Sequence, residues 1–186
     1  MVGHRPQCGE QKGTATLPEE LLIRDYAPGD LPVCRALWAE LTQWHRDLYD
    51  DQTIGGPDPG GYFDTYLATP GLRGPWVAEL GGRVVGLTGL LPHWGECEIE
   101  PVVVSSGLRA QGIGTALVAH AVAQARAAGH TSVTVRPVAR NAAAISFFVR
   151  QGFDMLGQIE LSRDLREERP TRNGPHLTLH SLRLDY

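Results

Sequence analysis

Leu108-Arg109-Ala110-Gln111-Gly112-Ile113-Gly114-Thr115 is the stretch on which the reading of this chain turns. Upstream lies Val102-Val103-Val104, an apolar run that fits a strand, and downstream an alanine-rich segment with helical spacing. A strand that passes through a glycine loop into a helix builds an anion site. The first backbone N–H groups of the helix have no intrahelical partner, and the helix dipole adds partial positive charge at the same place. Gly112 and Gly114 let phosphate oxygens approach with no Cβ in the way. Residues Arg109, Ala110, Gln111, Gly112, Ile113, Gly114 and Thr115 are therefore expected to hold a pyrophosphate through backbone amides. Two common versions of such a loop do not fit. A P-loop needs Lys-Ser/Thr after its last glycine, and Ile113-Gly114-Thr115 supplies no lysine. A dinucleotide fingerprint needs a further glycine three residues after Gly114, where this chain has Leu117.

What remains is Arg/Gln-x-x-Gly-x-Gly/Ala, which Arg109, Gly112 and Gly114 match in full. The pattern resembles the coenzyme A pyrophosphate loop of the GNAT superfamily of N-acetyltransferases. A glycine turn that only caps a helix reads much the same, so the flanking segments decide. Pro101 interrupts the strand before the loop. Proline cannot donate to a sheet ladder and marks an edge or a bulge. In the resembled family two strands splay apart here, which implies that the backbone of Val102, Val103 and Val104 holds the pantetheine arm and that an N–H polarises the thioester carbonyl. Downstream, Asn141 to Phe153 is similar to the family's Asn-x-x-Ala-x-x-x-Tyr-x-x-x-Gly-Phe helix. The resemblance implies that Asn141 bonds the pantetheine amides and that Phe147 and Phe148 line the thiol end. Asn141 is also a good helix N-cap and the phenylalanines good core residues, and both roles can hold together. Where the family often carries a tyrosine that protonates the leaving thiolate, this chain has Phe148. Tyr49, Tyr66 or direct release to solvent remain as alternatives.

Working outward, 186 residues suit one domain with a substantial core, expected over 19–186 behind a mobile tail over 1–18. That tail lacks the apolar stretch of a signal peptide. A formal net charge of −4 without a basic cluster argues against a nucleic-acid partner, and no apolar run is long enough to span a bilayer. Three cysteines, Cys8, Cys34 and Cys97, lie far apart with no metal-ligand spacing. They fit a reducing cytoplasm, no metal, and core roles for Cys34 and Cys97.

The remaining elements follow from periodicity. Leu21 to Tyr26 reads as a strand, and Leu31, Cys34, Leu37, Trp38, Leu41 and Trp44 mark an amphipathic helix reaching Tyr49. Tyr62 to Ala68 is a short helix. Trp76–Leu80 and Val84–Leu91 flank Gly81-Gly82, a hairpin signal. Cys97–Val104 is a fourth strand and Ser132–Val135 a fifth, joined by a helix from Thr115 to Ala128. A right-handed crossover makes those two strands parallel. A helix from Asn141 to Gly152 and strands over Phe153–Leu161 and Leu177–Leu184 complete the order. The expected fold is α/β: a mixed, mostly antiparallel sheet of about seven strands, splayed between the fourth and fifth, with about four helices. That order is also the GNAT order.

By resemblance, an amine attacks the acetyl thioester of acetyl-CoA directly. An alkyl amine of pKa about 10.4 is protonated at pH 7, and supplying its neutral form costs about 4–5 kcal/mol. A carboxylate can remove that proton. Glu96, Glu98 and Glu100 alternate with Cys97, Ile99 and Pro101 and so share one strand face. Glu98 and Glu100, nearest the bulge, are the expected base or relay, with Glu100 the more important. Glu96 reads better as part of a solvated face. Between Glu40 and Asp64 six acids (Glu40, Asp47, Asp50, Asp51, Asp58 and Asp64) face a single Arg46, which hints at a cationic acceptor. Trp44, His45, Tyr49 and Asp50 are the expected acceptor-side residues. The expected partner is a small-molecule or protein amine, taken up by a monomer or homodimer. A coenzyme A-binding module without catalysis, or a transferase of another acyl group, stays open at this point.

Overall fold

A computed structural model of the chain describes residues 21–163, 165 and 175–185. The N-terminal tail expected over 1–18 and Cys8 lie outside the described residues. Five strands form one sheet in sequence order: β1 (Leu21–Asp25), β2 (Arg73–Leu80), β3 (Arg83–His93), β4 (Glu96–Val104) and β5 (Val133–Thr134). The first four are antiparallel neighbours, and β5 joins β4 in parallel. The turn between β2 and β3 has Gly81 and Gly82 both at positive φ, the conformation a two-residue hairpin needs and the reason the glycine pair signals one.

Two layers of helix cover the sheet. Helices α1 (Leu31–Tyr49) and α2 (Tyr62–Leu67) pack Cys34, Leu37, Phe63 and Tyr66 against Val77, Leu87 and Val103. On the opposite face α3 (Ile113–Ala127) packs Val118, Ala121 and Ala125 against Trp76, Leu90, Cys97 and Ile99. Cys34 and Cys97 are buried free thiols, as expected of core fillers. Helix α4 (Ala142–Arg150) follows β5, with Phe147 and Phe148 against the α3-side core. Among the described residues no helix is long and apolar enough to cross a membrane.

The C-terminal portion departs from expectation. Phe153–Leu161 forms no strand. Its alternation is interrupted by Gly157 and Gln158, and a strand also needs a neighbour's edge, which periodicity alone cannot supply. Leu177–Leu184 is not one strand but a hairpin, β6 (His176–Leu179) and β7 (Leu182–Asp185), forming a separate two-stranded sheet. Its turn is His180-Ser181, both at positive φ. Neither residue type advertises that conformation, so the turn is silent in the sequence. Among the described residues the seven strands are therefore divided five and two.

Candidate active site

The site begins where β4 changes phase. Val102 pairs with Thr88 and Ile99 with Leu90, so Glu100 and Pro101 together oppose the single residue Gly89. This is a β-bulge, in the place where Pro101 requires one. Its effect is visible in the packing: Cys97 and Ile99 face α3 before the bulge, and Val102 joins the same cluster after it. Tyr66 of α2 donates its hydroxyl to the Glu100 carbonyl at 2.6 Å. A Cβ on Gly89 would lie 2.0 Å from that hydroxyl, so glycine is what gives the strut its room. Burial, and then the Glu100 charge, raise the Tyr66 hydroxyl above the ordinary tyrosine range. Tyr66 thus keeps its proton and braces the bulge. Tyr66→Phe should cost about 0.5–1.5 kcal/mol in a urea unfolding curve, the net worth of one hydrogen bond. A midpoint equal to that of the parent would mean that the strut carries nothing.

Beyond the bulge β4 has a free edge. Its parallel pairing with β5 is confined to Cys97 with Val133 and Glu98 with Thr134. On the β3 side Ser105 N–H donates to Val85 C=O at 2.8 Å, making residues 85 and 105 a hydrogen-bonded pair. Because such pairs alternate, Val103 also turns its backbone toward Leu87 of β3. Val102 and Val104 then direct theirs into the gap left by β5. Only the Val104 carbonyl has a described partner there, the Arg109 Nε at 3.3 Å. The three expected valines therefore divide: two present backbone to the gap, while Val103 serves the sheet and the core.

The gap opens onto the glycine loop. Ala110 has φ 61° and Gly112, the N-cap of α3, φ 84°, so two left-handed residues turn the chain into the helix. The first helical bond runs from Ala116 N–H to Gly112 C=O. No described hydrogen bond uses the N–H of Gly112, Ile113, Gly114 or Thr115. The closest approaches to a Cβ placed on Gly114 are the Phe147 ring at 3.4 Å and Val104 at 3.8 Å. One edge of the Phe147 ring thus lies over the helix start, its body packs on the cluster around Cys97 and Ile99, and Phe148 packs edge-on between Phe147 and Phe153. Gln151 Nε2 reaches Thr115 Oγ1 at 3.3 Å, tying the end of α4 to the start of α3. Asn141 caps α4 through Oδ1, which accepts from Ala144 N–H at 3.0 Å. Its Nδ2 group has no partner among the described residues.

The carboxylates on β4 have three different environments. Glu96 accepts from Thr131 Oγ1 and sits 3.2 Å from His130 Nδ1, at the end of the strand away from the gap. Glu98 is buried, with 3% of its surface exposed, and is held bidentately by Arg136. Glu100 is half-buried. Burial, and then the neighbouring Glu98 charge, push its carboxyl above the usual carboxylate range, while Arg136 opposes them. Among the described residues no three His, Cys, Asp or Glu side chains gather as a metal site.

Residues 35–153 match the profile of the acetyltransferase (GNAT) family, more than half of the chain. The chain belongs to this family. It is 35% identical over 100 residues to rat N-acetyltransferase 8B, covering 50% of this chain and 45% of that protein. The chain thus spans about half the length of the curated relatives it matches. Among solved structures it is similar to the ribosomal-protein-alanine N-acetyltransferase of Brucella melitensis, at 27% identity and TM-score 0.55 over 70% of this chain and 83% of that one. A GNAT acetyltransferase of Staphylococcus aureus shares the fold at 16% identity and TM-score 0.60, over 81% and 94%.

In this GNAT chain the expected acceptor-side residues sit on the last turns of α1, against both loops of the gap. The Arg109 guanidinium lies over the Trp44 ring at 5.3 Å, and Arg140 over Tyr49 at 4.8 Å. Arg140 also donates to the Leu48 carbonyl at 3.2 Å. His45 is half-buried, and that burial lowers its pKa. Asp50 is the exposed left-handed C-cap of α1. The acidic stretch does not form an open anionic wall. Arg35, outside the counted window, pairs with Asp58 and Asp64. Asp51 holds a local turn through Thr53, and Glu40 accepts from Ser106 N–H. The sequence view missed Arg136 and Arg140, because neither belongs to a motif. The one signal for Arg136 was its position just past a strand parallel to the acid-bearing β4.

Proposed function

We propose that this chain is an N-acetyltransferase that moves the acetyl group of acetyl-CoA to a primary amine by direct attack. The observation that carries the proposal is the continuity of the free β4 edge with the uncommitted amides of the α3 N-terminus. One end offers an extended amide-bearing arm two strand-like partners, at Val102 and Val104. The other offers a pyrophosphate four backbone donors, from Gly112 to Thr115, in the positive field of a helix start. These residues fit acetyl-CoA, and Asn141, implied by the family resemblance, would add its Nδ2 donor. When bound, acetyl-CoA supplies an acyl group already activated as a thioester.

The residues of the chain do the rest. Glu100, with its carboxyl raised toward neutrality, takes the proton from the incoming ammonium, directly or through water. The bulge aims backbone into the gap, where an N–H can polarise the thioester carbonyl. Tyr66 is committed to the Glu100 carbonyl and stays a strut. A thiolate is a much weaker base than an alkoxide or amide ion and leaves without requiring an acid, so Phe148 is compatible with release to solvent. With the acidic stretch largely paired internally, the acceptor class rests on the amine chemistry, whether small molecule or protein N-terminus or lysine.

Acetyl-CoA turnover against a panel of polyamines, amino acid derivatives and peptide amines, read by thiol release, tests the activity. Release with at least one amine and none without it is the expected result. Tight coenzyme A binding with no release across the panel would instead support a binding module without catalysis. Backbone hydrogen exchange tests the gap itself. On adding coenzyme A, exchange should slow at least tenfold at Val102 and Val104, while Val103, already bonded to β3, stays unchanged. Equal protection of all three with and without ligand would count against the pantetheine assignment.

A further inference from the structure

The chemistry above leaves one ionic pair, with a buried carboxylate, unused. Arg136 Nε lies 2.8 Å from both Glu98 carboxylate oxygens, and its Nη2 lies 2.7 Å from Oε2. Glu98 is also the residue at the last backbone rung between β4 and β5, opposite Thr134. Arg136 comes two residues after Thr134, where the chain leaves β4. The pair therefore ties the strands together just past their final rung, at the closed end of the gap. A carboxylate shut away from water stays ionised only with a partner that satisfies it. Arg136 is suited to this, since its own side chain is 63% exposed and keeps most of its hydration.

We propose that Arg136 is a positioning residue of this site: it closes the apex of the gap and engages the Glu98 carboxylate, leaving Glu100 as the carboxyl that exchanges the proton. This rests on the assignment of Glu100 as the base. With Arg136 present, Glu100 titrates beside a pair whose positive member offsets part of the Glu98 charge. Without it, two carboxyls two residues apart and shielded from water compete to hold one proton. Three further groups face the pair. His93 of β3 places Nδ1 3.8 Å from Glu98 Oε2, beyond hydrogen-bond reach. Tyr66 of α2 aims its hydroxyl at the Glu100 carbonyl and stays neutral. Glu160, beyond α4, adds negative charge near Arg136. The shifts agree with this geometry: the bond to Glu98 raises Arg136, and Arg136 pulls Glu100 down against burial and the Glu98 charge.

The test compares the full chain with Arg136→Met, Arg136→Lys and the double variant Glu98→Gln/Arg136→Met. Glutamate carboxyl carbons are titrated by NMR, and kcat/KM is followed against pH. In Arg136→Met the Glu100 titration and the acid limb of kcat/KM should both move up by about one pH unit or more, a tenfold change in proton affinity. Activity lost at neutral pH should return at high pH. Arg136→Lys, which keeps the charge without the bidentate fork, should give a smaller shift in the same direction. The double variant should bring the limb back, because no second carboxylate remains. An unmoved Glu100 titration in Arg136→Met, with turnover reduced equally at every pH, overturns the proposal and leaves Arg136 a structural tie. Should Arg136→Met not fold, an unshifted Arg136→Lys overturns it equally. If the acid limb of the parent enzyme fails to coincide with the Glu100 titration, Glu100 is not the base. The NMR titrations still decide the role of Arg136 in that case.

Discussion

Glu100→Gln lowers turnover at pH 7 by roughly 10²-fold or more, with acetyl-CoA affinity nearly unchanged. Glutamine keeps the shape and hydrogen bonding of the side chain and removes only its basicity. The Tyr66 strut bonds the backbone carbonyl of residue 100, so it survives the change. The pH dependence fixes the sign. A base must be deprotonated to act, and burial with the Glu98 charge sets the Glu100 carboxyl above the ordinary carboxylate range. The parent enzyme should therefore lose activity as pH falls through that raised value, and the variant should lack this limb. As pH rises toward the amine's own pKa, the gap between the two narrows, because the acceptor then deprotonates without help. Full turnover by Glu100→Gln at pH 7 would move the search for a base to the half-buried His45, to Asp50 or to ordered water.

Gly112→Asp is the second large expected effect, and it falls on binding rather than turnover. Gly112 caps α3 at φ 84°. Aspartate and asparagine are among the few side-chain-bearing residues that tolerate positive φ, so the fold should persist. Their difference then isolates charge. Gly112→Asp puts a carboxylate and a Cβ where the pyrophosphate would lie, whereas Gly112→Asn adds the same bulk without the charge. Calorimetry should show acetyl-CoA affinity falling at least tenfold for the aspartate variant, about 1.4 kcal/mol, and falling less for asparagine. An unchanged Kd in a folded Gly112→Asp variant would dismiss the loop as the phosphate site.

The glycine loop and the bulge were both readable in advance, for one physical reason. Gly112 and Pro101 are residue types whose backbone demands are local: a positive φ in one case, a missing N–H donor in the other. The β2–β3 hairpin followed from the Gly81-Gly82 turn, and the parallel β4–β5 pairing from the crossover through α3. What escaped notice depends on partners far along the chain. Arg136 meets Glu98 across 38 positions, and Tyr66 meets Glu100 across 34. Arg35 neutralises Asp58 and Asp64 although it lies outside the acidic stretch, so a local count of charges overstated the field. The His180-Ser181 turn was hidden because its residues lack the glycine or asparagine that usually betrays positive φ.

The bulge has one more consequence, and it concerns counting. Before it, the odd-numbered Cys97 and Ile99 face α3; after it, the even-numbered Val102 does. Removing a single residue at position 100 or 101 would give the strand one parity throughout, with Cys97, Ile99, Val102 and Val103 still on their present sides. A deletion, ordinarily the harshest edit a strand can suffer, here keeps the parity of the core and gives up the Tyr66 strut instead. The same deletion would straighten the backbone that now turns outward. Stability and activity, which most mutations damage together, could be separated in this protein by the loss of one residue.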